Sequence, residues 1–302
     1  MMTLRGLMER FPDEEDCKKF LLGRRWPKAV LCPRCGSGEH VYALQTRPWH
    51  WECAGKKCRT GNAYRFSIIS GTVFENTKYP LKVWFEVLWQ MLNSKKDVSA
   101  KQIQRQIGSG SYQTAWYMCH RLRAAMEDPG FRKLMGIVEI DETYIGGKAK
   151  NRHGGMHGRG RAGRSKGRGP IGKIPVVGAI ARKGNVVCQM IASADGHTLR
   201  DFVRQTVSSK VELIATDEHS GYAGLNRMGY RHESVSHAEG EYVRGEVHTA
   251  NLDSFWALLK RGIIGTYHNI SAKYLPLYLA EFQFRHNNRK NPDIFGAAIA
   301  GC

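Results

Sequence analysis

Apolar residues recur along the chain at two different periods, and the change from one to the other divides it. Two short runs near the start, Val41-Tyr42-Ala43-Leu44 and Trp49-His50-Trp51, are aromatic and strand-like. Residues 81–92 then carry bulky apolar side chains at helical spacing, with Pro80 at a position that a first turn permits. A shorter amphipathic helix is predicted over 98–107, capped by Ser99, and Gly108-Ser109-Gly110 breaks it. A third helix is predicted over 112–126 with Ser111 as its cap. Beyond Gly136 the period becomes that of strands. Val138-Glu139-Ile140-Asp141 reads as a strand ending in an acid, and so does the run 211–217, which ends at Asp217. Between them, 175–181 and 185–191 read as a hairpin turning at Lys183-Gly184, followed by a helix over 198–207. A short strand near 230–235 and amphipathic helices over 251–262 and 274–286 complete the pattern.

These periods predict three regions: 1–75, 76–130 and 136–290. The second has the outline of a helix-turn-helix, two helices across a glycine-containing turn. In that motif the N-terminal residues of the second helix enter the major groove, here Tyr112, Gln113, Thr114 and Tyr117. The third region reads as a mixed α/β layer. It is interrupted at 148–173 by a glycine-rich stretch with nine Lys or Arg and no acid, which cannot build a core and is expected to be a mobile basic loop. Its cations Arg159, Arg161, Arg164, Lys166 and Arg168 are candidates for phosphate contact.

Charge agrees with that expectation. The 302 residues contain 46 Lys and Arg against 27 Asp and Glu, a formal net charge of +19. Such an excess attracts a polyanion, and nucleic acid is the usual one. No apolar run is long enough to span a bilayer, and no basic amphipathic anchor is evident. The first residues lack the apolar core of a secretory signal, so a reducing interior, the cytoplasm, is expected.

A reducing compartment calls for a reading of the eight cysteines other than disulfides. Cys17, Cys119, Cys188 and Cys302 are scattered. The other four form a CxxC pair, Cys32 and Cys35, and a CxxxxC pair, Cys53 and Cys58, seventeen residues apart. Two tight turns that present two thiolates each complete a tetrahedral Zn²⁺ site, and the spacing suits a zinc ribbon.

The carboxylates carry the remaining chemistry. Active sites in mixed sheets gather at strand ends, which singles out Asp141 and Asp217. Neighbouring carboxylates repel unless a cation neutralises them. Mg²⁺ takes oxygen ligands from carboxylate and phosphate alike. Two such ions can activate a hydroxyl and steady a leaving oxygen in phosphodiester transfer. Asp253, near the start of its helix, is the choice for a third acid, and Lys260 lies two turns on along the same face. Glu139, Glu142, Glu218, Asp195, Glu239 and Glu241 compete with these on residue type alone.

The order of motifs resembles a known group. The Cys32-Pro-Arg-Cys35 pair is followed by Gly71-Thr72-Val73-Phe74 and by Thr114-Ala115-Trp116-Tyr117-Met118. Then come Glu139-Ile140-Asp141-Glu142-Thr143-Tyr144-Ile145-Gly146-Gly147, the Asp217 strand end, and Phe255-Trp256 with Lys260-Arg261. Glu281-Phe282 and Arg285-His286-Asn287 follow. Together they resemble the bacterial and archaeal insertion-sequence transposases of the DDE type, in the subgroup with an N-terminal zinc ribbon.

The resemblance implies a ribonuclease-H-like catalytic fold and cleavage and strand transfer at element ends, with two Mg²⁺ or Mn²⁺ ions. It implies Asp141, Asp217 and Asp253 as the triad, Lys260 as the basic residue seven positions after the third acid, and one structural Zn²⁺. The implied partners are element-end and target DNA and a homodimer or higher assembly on it, in the nucleoid. Two departures stand out: the third acid is commonly Glu and is Asp253 here, and Ala250 stands where an Asn is frequent. A metal-dependent nuclease, or a DNA-binding regulator derived from a transposase, are the competing readings.

Overall fold

A computed structural model describes residues 2–59, 62–128, 131–146, 173–236, 240–241 and 243–302. The basic stretch, with Arg159, Arg161, Arg164, Lys166 and Arg168, lies outside the described residues. The chain falls into two compact units, Met1–Glu127 with Asn288–Cys302, and Asp128–Asn287.

The first unit begins with α1 (Leu4–Arg10) and α2 (Glu14–Arg25), capped by the side chains of Thr3 and Asp13. An antiparallel ribbon follows, β1 (Val41–Ala43), β2 (His50–Cys53) and β3 (Tyr64–Ser67). Then come α3 (Leu81–Asn93), α4 (Ala100–Gln106) and α5 (Tyr112–Ala124). Ser99 caps α4 as its sequence suggested, accepting from the Gln102 N–H. Ser111 stands at the start of α5 but its side chain caps nothing. Instead Ser109, in the glycine-flanked turn, bonds both the N–H and the carbonyl of Ser111. Proline cannot cap a helix with its side chain, and at Pro80 the deficit is met from elsewhere. The Glu14 carboxylate accepts from the N–H groups of Leu81 and Lys82, at 3.0 and 3.1 Å. A buried ion pair, Arg123 with Asp97 at 3.1 Å, ties α5 to the turn before α4. The C-terminal helix, Ile294–Ala300, returns to this unit. Its Phe295 joins Phe11, Phe20 and Phe85 in an aromatic cluster, with Phe11 and Phe85 edge to face at 5.0 Å.

The second unit is a five-stranded mixed sheet. Its strands are β4 (Ile137–Ile145), β5 (Ile174–Ala181), β6 (Val186–Met190), β7 (Leu213–Thr216) and β8 (His232–Ser234), in the order β6-β5-β4-β7-β8. The β6-β5-β4 side is antiparallel and the β4-β7-β8 side parallel. Alternation along the strands sends side chains to two cores. Val138, Ile140, Val177 and Ala179 pack with α6 (Gly196–Thr206) through Leu199, Phe202 and Val203. Val176, Ile180 and Val186 pack with α7 (Ala250–Gly262) and α8 (Leu275–Asn287) through Leu252, Phe255, Leu279 and Phe282. Asp195 caps α6, accepting from the N–H groups of His197 and Thr198.

The structure departs from the sequence pattern at one strand end. Asp141 does not end its strand; β4 continues through Thr143, Tyr144 and Ile145, all good strand formers. The strand is paired unequally on its two sides. Against β5 it is registered from Val138 to Ile145, but against β7 only from Ile137 to Glu139. Asp141 therefore lies where β4 outruns its parallel neighbour.

Candidate active site and metal centres

The parallel register Glu139–Ala215 places Asp141 and Asp217 at matching positions two residues further on. Asp217 follows the last residue of β7, and its side chain turns the chain there by accepting from the His219 N–H at 3.1 Å. Carboxylate oxygens of Asp141, Glu142 and Asp217 lie within 4.8 Å of one another. Asp141 and Glu142 leave the strand on opposite faces. Asp141 faces α7, where the Trp256 indole donates to its Oδ2 at 3.1 Å. The ring comes this close because Gly178 sits directly across from Asp141 in register, and a Cβ there would lie 2.6 Å from it. Glu142 faces the α6 side. Its Oε2 accepts from the Tyr222 hydroxyl at 2.7 Å, and its Oε1 lies 3.4 Å from His219 Nε2. His219 Nδ1 already accepts from the Gly221 N–H, so Nε2 carries the proton.

The cluster is short of positive charge. Burial, with the charges of Asp217, Glu142 and Asp253, pushes the Asp141 carboxyl up to about 7. Burial also raises Glu142. A hard divalent cation, which takes carboxylate oxygens as ligands, relieves this.

Asp253 and Lys260 are exposed on α7, seven residues apart on one face. Asp253 stands outside the three-carboxylate cluster, although its charge is felt at Asp141. Its Oδ2 accepts from the Thr249 hydroxyl at 3.2 Å.

In the first unit the thiols of Cys32, Cys35, Cys53 and Cys58 also lie within 4.8 Å of one another. Sγ of Cys32 and Cys58 are 3.5 Å apart, and those of Cys35 and Cys53 are 3.8 Å apart. Tetrahedral zinc with Zn–S of about 2.3 Å needs roughly 3.8 Å between sulfurs. Trp26, Trp51, Tyr64 and Phe66 pack around the thiols. Of the residues expected to read DNA, Gln113 and Tyr117 are exposed at the start of α5, and Thr114 is half-buried there.

Glu142 lies within the carboxylate cluster, and Trp256, Tyr222 and His219 contact it, although the sequence assigns none of them a role. Trp256 was legible only as part of a motif, and Glu139 and Glu142 only as competing acids.

Residues 133–287, about half of the chain, match the ISXO2-like transposase domain. The chain belongs to the ISXO2-like transposase family. Residues 12–61 match the transposase zinc-ribbon domain. The transposase is similar to an uncharacterized protein in transposable element ISH50 of Halobacterium salinarum, with 28% identity over 94% of this chain and 95% of that one. It also shows a likeness to a chain in a cryo-EM structure of a simian T-cell lymphotropic virus intasome in complex with PP2A regulatory subunit B56 gamma. That likeness has 13% identity, covers 60% of this chain and 63% of that chain, and has a TM-score of 0.29, too low to bear on the fold. The protein is thus a DDE-type transposase with an N-terminal zinc ribbon, an enzyme of DNA cleavage and transesterification. The family implies DNA as partner and a divalent metal at the carboxylates, and the four close thiols suggest a structural zinc.

Proposed function

We propose that this transposase cuts the ends of an insertion sequence and joins the freed 3′ hydroxyl to target DNA, with Asp141, Asp217 and Asp253 holding two Mg²⁺ or Mn²⁺ ions. The observation that carries the reading is the meeting of Asp141 and Asp217 where β4 outruns β7, with the exposed Asp253–Lys260 face on the helix that packs against β4. The metals supply Lewis acidity to a phosphodiester and lower the pKa of the attacking hydroxyl. The chain's own residues do the rest. Trp256 orients Asp141, Tyr222 and His219 fix Glu142, and Lys260 offers a cation to the DNA backbone. A sheet ordered β6-β5-β4-β7-β8, antiparallel then parallel, supports a ribonuclease-H-like fold for the catalytic domain, 136–290.

The remaining parts fit around it. One zinc closes the Cys32, Cys35, Cys53 and Cys58 cluster in region 1–75. In region 76–130, α4 and α5 act as a helix-turn-helix that reads element ends with Gln113, Thr114 and Tyr117. Arg159, Arg161, Arg164, Lys166 and Arg168 grip phosphates. The working form is a homodimer or higher assembly on DNA in the nucleoid. No helix among the described residues is long and apolar enough to cross a membrane.

The test is a strand-transfer assay with labelled duplexes taken from the DNA flanking the coding sequence. Joined products that need Mg²⁺ or Mn²⁺ and vanish in Asp141→Asn are expected. Hydrolysis without joining would overturn strand transfer and leave a nuclease. End binding without cleavage under either metal would leave a regulator.

A further inference from the structure

Glu139 is fully buried, two residues before Asp141 and on the same face of β4. A buried carboxylate in a sheet needs hydrogen-bond donors for its lone pairs. Glu139 has them. Its Oε2 accepts from the backbone N–H groups of Asn251 at 2.9 Å and Leu252 at 3.2 Å. Its Oε1 accepts from the Asn251 amide at 2.7 Å and from Arg182 Nε at 3.0 Å. These donors fill the acceptor sites of both oxygens, so Glu139 has none left for a cation.

The donors identify what Glu139 does. Asn251 and Leu252 lie in the first turn of α7, whose N–H groups have no partner within the helix. Thr249 occupies the cap position, yet its side chain makes no cap bond; its hydroxyl is given to Asp253. The cap comes instead from the strand, 112 residues earlier in the chain. A carboxylate there also meets the positive end of the helix. The helix is therefore held to one strand at two points, Glu139 to its first turn and Asp141 to Trp256 in its middle. Between these points in the helix sequence lies Asp253, whose side chain is one methylene shorter than Glu.

We infer that Glu139 is a positioning residue for the third acid: by capping α7 from β4 it fixes the start of that helix, and with it Asp253, against the strand that carries Asp141. A helix start left to a side-chain cap of its own could shift along the strand, and a short Asp tolerates less of such a shift than a Glu. The inference rests on Asp253 being a metal ligand.

The test uses the full chain and Mn²⁺ alone, with binding read from loss of the free ion's paramagnetic signal. Asp253→Asn should weaken Mn²⁺ binding and so establish the ligand. Asn251→Ala removes one donor from a surface residue and leaves every charge in place, and a loss of about fivefold in Mn²⁺ affinity is expected. Glu139→Gln should lose more, and circular dichroism reports whether it folds. Wild-type Mn²⁺ affinity in Asn251→Ala, beside a weakened Asp253→Asn, would overturn the inference whatever the state of Glu139→Gln. Wild-type affinity in Asp253→Asn would instead defeat the reading of Asp253 beneath it.

Discussion

The two clusters of metal-type ligands in this transposase are opposites. The four thiols come from two tight turns of one local ribbon, are largely buried, and stand at the spacing tetrahedral zinc needs. The carboxylates come from the middle of β4 and the residue after β7, and two of the acids repel each other across a gap between strands. One cluster builds the fold that surrounds it. The other is built by a fold that already exists, and is held together against its own charge. A closed set of ligands stabilises; a set left open to substrate costs stability until the cation arrives.

The largest effect should come from the thiols. Cys32→Ser, or chelation, removes a metal whose binding is worth about 10 kcal/mol or more in small zinc modules. The ribbon should lose protection in hydrogen exchange while β4, β5 and β7 keep theirs. Equal loss in both units would break the comparison.

At the carboxylates, substitution should act in the other direction on stability. Asp141→Asn should lower strand cleavage by at least about a hundredfold. The same substitution should raise the melting point of the metal-free protein, by roughly 2–4 °C for each kcal/mol of repulsion relieved. A fall in the metal-free melting point would show that Asp141 is a structural residue.

The pH dependence follows from the same charge. Asp141 is raised to about 7 in the fold from a usual value near 3.8. Its ionised form therefore destabilises the metal-free protein above about pH 7, and that penalty disappears as pH falls towards 4. Melting temperature without divalent metal should rise between pH 8 and pH 6, and Mn²⁺ should flatten the rise. An identical slope in Asp141→Asn would assign it to another group.

The smallest effect sharpens the comparison within the first unit. Glu14 caps α3 from a distance, as Glu139 caps α7, but carries no functional side chain into place. Glu14→Gln should cost about 1 kcal/mol, the ordinary value of a cap, and leave cleavage unchanged. Lost activity in a folded Glu14→Gln variant would mean that α3 also sets the site.

What was legible in the sequence follows from how local each feature is. The cysteine knuckles are a matter of spacing over a few residues, and the helices α3, α4 and α5 follow from apolar period and breaker residues. Asp217 was legible because its strand does stop there. The sequence period ends a strand at Asp141 because period alone cannot show that a strand loses one neighbour and keeps the other. The helices α1 and α2 and the strand β3 are short or heavily charged, and the C-terminal helix is apolar on every side, so none of them shows a clean period. Glu139 was visible as an acid on the Asp141 face. Its partnership with Asn251 spans 112 residues, and no spacing rule reaches that far.

The chain leaves the first unit after Glu127 and re-enters it at Asn288. Seen from the ribosome, the unit that starts first finishes last. Synthesis at about 5–20 residues per second leaves on the order of ten to forty seconds between the two halves of its aromatic cluster. Through that interval Phe11, Phe20 and Phe85 wait for Phe295. The nascent chain thus carries an uncovered apolar patch while its catalytic unit is being made, and a message cut short before codon 294 would yield a complete sheet and an aromatic cluster without its last ring.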